Sequence, residues 1–455
     1  MSRWLESCLA AVQAGGMNDS RRWAALAVLL VAEAMNLLDT TIVQVAAPAV
    51  HAELGGAPST ISFYTAGYTL PFALLLITGG RLGDIIGRRR TFQLGVAGFV
   101  LSSALCAAAT TPGFLLVFRA LQGASAALVI PQTIGLIRVL FDGAARARAL
   151  GMIGPVMGLA AVSGPVLGGL LTDAWSWRSV FLVNVPLGVA VLAASGLLTE
   201  DRSASRPRLD LLGTGLVVLG AGLVVYPLLT QWNGYLVAAG VAVLVVFTLQ
   251  QRFRGGLIER SLFRGLGFPA GLTTSVLFFA VMTGLTQVVV LFLQLTQHAD
   301  ARTAGLSLLP WSCGLAVSSF VAGRWLVPRF GTRILFAGVV FLAAGITGIA
   351  LGWPLLLSLV IAGTGTGLFT VPFFTAALAL VRPSETGSAA GLLNAVQQLG
   401  GTVGVAMLTT VFLDAGVTVA CWTAVVLTVA AGVTALGLIR GTRADIPSEP
   451  SPAGV

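Results

Sequence analysis

Residues 23–50 read WAALAVLLVAEAMNLLDTTIVQVAAPAV, with Arg21 and Arg22 immediately before them. A bilayer's hydrocarbon core is about 30 Å thick and takes roughly 20 apolar residues of helix to cross. This stretch predicts a membrane span with length to spare. Only Glu33 and Asp39 ionise within it. A carboxylate at such depth is costly unless it faces a cavity or a partner, and such acids mark ion or proton paths. On a helix, Glu33, Asn36, Thr40 and Gln44 fall within an arc of roughly 80°, with Asp39 about 60° beyond Asn36. The first span is thus an apolar rod carrying one polar stripe. The plainer alternative is a stripe that only hydrogen-bonds neighbouring helices.

Segments of the same kind recur along the chain. They predict helices at 23–50, 59–79, 91–109, 114–140, 147–171, 178–199, 210–229, 234–252, 267–295, 303–327, 332–352, 355–381, 386–412 and 417–440. Turn signals such as Thr110-Thr111-Pro112-Gly113 and Gly352-Trp353-Pro354 divide the longer runs. The 455 residues are 56% hydrophobic and 9% charged, against about 25% charged in soluble domains. The expected class is an all-α polytopic membrane protein of fourteen helices.

The charged residues narrow the function. All 26 basic residues are Arg, so no phosphate-binding loop of the G-x-x-x-x-G-K-[ST] type is present. His51 and His298 stand in loops without an H-E-x-x-H pattern. Cys8, Cys106, Cys313 and Cys421 lie too far apart to suggest a metal or disulfide framework. No enzyme, metal or cofactor is expected. The net charge of +9 raises nucleic acid as a partner, but the Arg positions point elsewhere. With the N-terminus inside, only Arg178 and Arg302 lie outside and Arg119 lies within a span; the other 23 of the 26 fall at inner ends, as cytoplasmic loops favour. An even span count places both termini in the cytoplasm. No nucleic-acid partner is expected.

Trp4, Leu5, Cys8, Leu9 and Val12 in the leader 1–22 follow helical spacing and suit a membrane surface; Met17 is an alternative start. Residues 441–455 read as a disordered cytoplasmic tail. Gly79-Gly80-Arg81 and the following Asp84, Gly87, Arg88 and Arg89 find a looser echo in Gly323-Arg324, Gly331 and Arg333. That repeat predicts two six-helix bundles, 23–199 and 267–440, joined by a linker 200–266 holding helices seven and eight. Transporters built this way bind substrate between the halves. Arg119 lies about 8 Å inside the outer end of the fourth span and Asp39 about 16 Å below that of the first, so the two can pair. The alternative is an Arg that snorkels to the interface.

Several segments carry a resemblance. Leu38-Asp39-Thr40-Thr41-Ile42-Val43-Gln44-Val45-Ala46-Ala47-Pro48, the loop Gly80–Arg90, Arg119-Ala120-Leu121-Gln122-Gly123 with Pro131, Gly164-Pro165-Val166-Leu167-Gly168-Gly169, and Trp177-Arg178 with Asn184-Val185-Pro186 resemble, in order, the motifs of the fourteen-helix drug:proton antiporters of the major facilitator superfamily. Asn394, Gln397 and Gln398 before Gly400-Gly401 match more loosely. Gln44 replaces the family's usual Asn, and Glu33 an apolar residue.

The resemblance implies the major facilitator fold and a monomer in the bacterial cytoplasmic membrane. It implies proton-driven export of lipophilic or cationic drugs or antibiotics by alternating access. Asp39 and Arg119 would couple protons; Glu33, where the family has an apolar residue, joins them as a proton-coupling candidate through its depth in the first span alone. Gly80, Asp84, Gly87 and Arg88 would form a conformational latch, with Arg138 and Arg146 as candidate partners for Asp84. Gly164, Pro165, Gly168 and Gly169 would form the antiport motif, which as small residues around a kink also reads as mechanical. Gly363, Gly365 and Gly367 read the same way. Candidates to line the substrate cavity are Asn36, Thr40, Gln44, Tyr64, Tyr68, Gln132, Gln287, Trp311, Asn394 and Gln398. The alternatives are an exporter of one endogenous metabolite, such as a self-made antibiotic, siderophore or amino acid, and a membrane sensor or scaffold that transports nothing.

Overall fold

The structure is a computed structural model that describes residues 18–201, 209–229, 233–254, 260–263, 265–381 and 386–444. Most of the leader, the 202–208 part of the linker and all but the first residues of the tail lie outside the described residues. The helices are α1 (Asp19–Leu54), α2 (Thr60–Ile86), α3 (Arg88–Ala107), α4 (Pro112–Leu140), α5 (Gly143–Ala174), α6 (Ser179–Leu197), α7 (Leu211–Leu229), α8 (Gly234–Arg254), α9 (Gly267–Leu291), α10 (Leu309–Val321), α11 (Ile334–Ala350), α12 (Leu355–Ala379) and α13 (Thr386–Ala444). No strand occurs among the described residues. This is the expected economy, since a helix satisfies all its backbone polar groups within lipid. The starts follow local chemistry: Thr111 caps α4 by accepting from Phe114 N at 3.3 Å, with Pro112 in the first turn.

Among the described residues, twelve segments are long and apolar enough to cross a membrane, where the sequence predicts fourteen spans. Two of them, Ala301–Ala350 and Ala389–Ile439, run 50 and 51 residues, more than twice the length one crossing needs. Each holds a left-handed glycine. Gly331 (φ 64) separates α10 from α11, and Gly416 (φ 83, ψ 176) breaks α13.

Helices α1 to α6 pack as one bundle, chiefly α2 and α3 on α4, α5 on α1, and α6 on α3 and α1. Helices α9 to α13 form the other, with α9 along α13 and α12 against α10 and α11. The bundles meet where α2 lies on α13 and where α5 meets Ala301–Ser307 and α10. Helices α7 and α8 pack on each other, and α7 rests against α2 and α13.

Lipid gives helices little hydrophobic reason to associate, so close packing at small residues does more of the work. Gly123 of α4 lies on the backbone of Tyr68 in α2, and Gly404 of α13 on that of Ala280 in α9; a Cβ at either would collide with main chain. Gly363 and Gly365 of α12 likewise abut the backbones of Trp311 and Leu342. They are packing glycines on a helix, as their mechanical reading from the sequence expects. Leu94, Leu101, Val117, Leu159, Val340 and Val426 are exposed on the outer surface, an apolar face suited to acyl chains. The chain is a multi-pass membrane protein.

Candidate functional site

Asp39 of α1 and Arg119 of α4 are both fully buried and in direct contact, Arg119 Nη1 donating to Asp39 Oδ2. The other carboxylate oxygen, Oδ1, accepts from Gln122 Nε2 at 2.8 Å and from Asn184 Nδ2 at 2.7 Å. Gln122 closes the ring: its Oε1 accepts from Arg119 Nη1 at 2.7 Å, and its Nε2 also reaches Ser103 Oγ at 2.6 Å. Arg119 Nε donates to the Tyr64 carbonyl at 2.9 Å, and its guanidinium lies over the Tyr68 ring, 4.5 Å from the centroid. Five helices thus contribute to one sealed charge pair. The predicted pairing of Asp39 with Arg119 is present, and the snorkelling alternative does not describe Arg119. The i to i+3 spacing of Arg119 and Gln122 puts both on one face of α4. Gln122 and Asn184 stood in the recognised motifs without an assigned role. Ser103 carries no sequence signal at all.

The rest of the stripe on α1 divides. Asn36 Nδ2 donates to the Tyr68 hydroxyl at 2.7 Å, and Thr40 Oγ1 to the Asn36 carbonyl at 3.2 Å. Glu33 is buried beside Thr133, and its Oε2 has no hydrogen-bond partner. Gln44 is buried eight residues beyond Asn36 on the same helix.

At the Arg-rich end, Arg88 Nη2 donates to Asp84 Oδ1 at 2.8 Å, and Arg88 Nε lies 3.2 Å from Asp201 Oδ2. Arg89 N donates to Glu200 Oε1 at 3.2 Å. Asp84, in the last turn of α2, is therefore partnered by Arg88 at the start of α3, not by Arg138 or Arg146. Arg146 is engaged by Asp142 at 2.7 Å and the Phe141 carbonyl at 2.8 Å, acceptors nearer to it along the chain. The acidic pair Glu200-Asp201 after α6 is the partner that motif matching passes over. Gly135 supplies the room in which the Arg88 guanidinium lies. Close by, burial works against ionisation of Asp210, yet the Gly213 N–H, Gln250, Gln251 and the charge of Arg81 hold its carboxyl below the usual carboxylate range. Thr78 of α2 and Thr214 of α7 lie 2.9 Å apart through their hydroxyls, so the α7 start is tied to the α2 end.

The small residues of α5 form a seam at the other end. Gly164 lies against Thr41, Gly168 against the Ile42 backbone, Gly169 against Ala301, and Gly305 against Pro165. Gln294 Nε2 donates to the Val45 carbonyl at 2.9 Å. The bundles are thus in backbone contact there. Towards the Arg-rich end they part around a cavity of about 740 Å³, lined by residues of α2 and α4 on one side and α12 and α13 on the other. Of the predicted lining residues, Gln132 and Asn394 stand on its wall, as does Gln397. Tyr68, Gln287 and Trp311 are buried in the helix packing, and Asn36, Thr40, Gln44, Tyr64 and Gln398 also lie off the wall.

Two bundles in backbone contact at one end and parted around a drug-sized cavity at the other, one of them holding a buried ion pair, define a membrane transporter architecture. The chain belongs to the Major Facilitator Superfamily, whose sequence profile matches residues 29–405 and 272–451. It is 44% identical over 426 residues to the probable actinorhodin transporter of Streptomyces coelicolor, covering 88% of this chain and 74% of that one. It is 36% identical over 418 residues to the puromycin resistance protein of Streptomyces alboniger, covering 86% and 82%. It is 33% identical over 429 residues to the tetracenomycin C resistance and export protein of Streptomyces glaucescens, covering 88% and 78%. In fold it is similar to the human organic anion transporter MFSD10, with a TM-score of 0.63 at 16% identity over 92% of this chain and all of that one. A peptide transporter gives 0.67 at 15% identity over 91% and 95%.

Proposed function

We propose that the chain exports lipophilic antibiotics or drugs across the cytoplasmic membrane by alternating access, driven by protons moving inward. The relatives named for antibiotic export and resistance support the cargo. The observation that carries the coupling is Asp39, sealed from solvent and held by Arg119, Gln122 and Asn184. A proton arriving on Asp39 cancels the charge that three N–H donors hold. Arg119 is then released towards other acceptors, and α1 and α4, which carry the pair, shift against each other. Glu33 lies six residues away, about 9 Å along α1. With an oxygen that meets no donor, it takes a proton without losing a hydrogen bond and serves as the inner station.

Ala301–Ala350 and Ala389–Ile439 are each taken as two crossings, broken at Gly331 and Gly416, so the chain crosses fourteen times. Residues 23–199 and 267–440 are the moving halves, and 200–266 carries the linker pair. With both termini in the cytoplasm the cavity faces inward, ready to load. One proton entering yields about 2.3 kcal/mol per 100 mV and about 1.36 kcal/mol per pH unit, which sustains a several-hundredfold gradient of a neutral drug when both are present.

Expression in a drug-sensitive bacterium tests the reading. Resistance to puromycin or tetracenomycin C is expected to rise, and Asp39→Asn to abolish the rise; sensitivity unchanged by the wild-type chain across a wide antibiotic panel would reject export. A second reading, export of one self-made antibiotic, is favoured by relatives named for single compounds; it predicts resistance confined to one structural class.

A further inference from the structure

We infer that the cavity between the bundles selects lipophilic acids, and that Arg138 is the counter-charge for their anionic group. The inference rests on the export reading and narrows its substrate class. The cavity, at about 740 Å³, is of the size that encloses a drug-sized molecule. Leu76, Ile77, Ile130, Ile134 and Phe374 give it apolar walls. Phe374 adds a ring face continuous with Phe279, 6.2 Å away, and Phe373, 5.2 Å away.

The charges around that apolar space are unequal in what they leave available. Among the described residues Asp84 is the one carboxylate on the wall, and Arg88 already engages it at 2.8 Å. Glu33 and Asp39, the acids that would answer a cationic drug, do not reach the wall, and Asp39 is closed off by Arg119. Arg81 and Arg88 have acidic neighbours in Asp84, Asp201 and Asp210. Arg138 differs. It lines the cavity, it is exposed, and among the described residues its guanidinium makes no hydrogen bond or ion pair. A cation entering here sheds water and meets no free carboxylate among the described residues, which is costly in an apolar site. A carboxylate or phenolate meets a planar fork of N–H donors suited to it. The cationic drugs among the substrates expected from sequence alone are the class this cavity disfavours.

Equilibrium binding to the purified full chain in detergent tests the inference with three probes sharing one ring system: 1-pyrenebutyric acid, its methyl ester, and a pyrenylbutyl trimethylammonium ion. The acid is expected to bind about tenfold or more tighter than the ester, the range for a hydrogen-bonded charge, and the cation weakest. Arg138→Gln is expected to bring the acid to the ester's affinity, while Arg138→Lys, which keeps the charge, retains most of the preference. A cation bound as tightly as the acid, an acid-to-ester ratio unmoved by Arg138→Gln, or no binding of any probe would overturn it. Uptake of the same probes into energised everted vesicles separates this from the export reading. Acid bound but never accumulated rejects export and leaves the selectivity standing; accumulation of the cation in preference to the acid rejects the selectivity and leaves export standing.

Discussion

Arg119 and Asp39 neutralise each other where neither meets water, and the arrangement is stable only while both are present. Truncating one partner of a buried pair strands the other charge at a cost of about 3–5 kcal/mol. Arg119→Leu should therefore lower the unfolding midpoint of the detergent-solubilised protein steeply. The double variant Arg119→Leu with Asp39→Leu should recover a large part of that loss. Equal destabilisation by the single and the double variants would show that the two charges do not stabilise one another. Gln122→Ala removes one donor from Asp39 and one acceptor from Arg119; a loss of about 1–3 kcal/mol is expected for the groups left unsatisfied. The charged members of this cluster were legible in the sequence because an ionised residue inside an apolar run has few structural reasons to be there. Ser103 was not, since a serine in a membrane helix commonly bonds its own backbone, and only the folded chain brings it to Gln122.

The helices themselves were legible from their apolar lengths, while the ties between them were not. Close packing such as Gly123 on Tyr68 depends on where two helices cross, which one chain's pattern does not encode. Gly123→Val would drive side-chain atoms into the Tyr68 carbonyl, and overpacking of this kind costs about 1–3 kcal/mol or more. Expression and thermal stability should fall, whereas Gly113→Ala, with open space around it, should leave both unchanged. The pairing of Asp84 shows a different limit. Arg146 was a candidate partner from the next Arg-rich loop, yet Asp142, four residues before it, engages Arg146 instead. At the start of α7, Asp210 is held ionised below the usual carboxylate range. A group with a lowered folded value contributes stability above its unfolded value and loses it as pH falls through the folded one. Helix α7 should stay anchored to α2 at neutral and mildly acidic pH and loosen only in stronger acid. Hydrogen exchange across α7 checks this: protection lost in the wild type near neutral pH would contradict it, and Asp210→Asn should lower protection at every pH.

At the scale of the molecule, the seam of α5 glycines and the cavity at the Arg-rich end are two views of one state, closed at one end and open at the other. Cysteine placed at Asn394 should be labelled from the cytoplasmic side, and cysteine at Gly169 should stay unlabelled from outside until the halves exchange. If the cargo is an acid, one proton entering and one anion leaving move two charges with the field, about 2.3 kcal/mol per 100 mV for each. Voltage then drives export twice over, and a second proton per cycle is not required. The two-bundle design was foreshadowed by the repeat of Gly80–Arg90 near Gly323–Arg333, but which way the molecule faces depends on packing at residues such as Gly169 and Gly305 that motif spacing leaves open.

Coupled export requires that a proton at Asp39 move the transporter. The direct measurement is uptake of a fluorescent substrate into everted vesicles carrying the wild-type chain or Asp39→Asn, with the pH gradient and voltage present and then collapsed. Accumulation that requires the gradient in the wild type, and is absent in Asp39→Asn despite normal folding, is the predicted result. Accumulation that survives collapse of both gradients, or that proceeds equally well with asparagine at position 39, would contradict it.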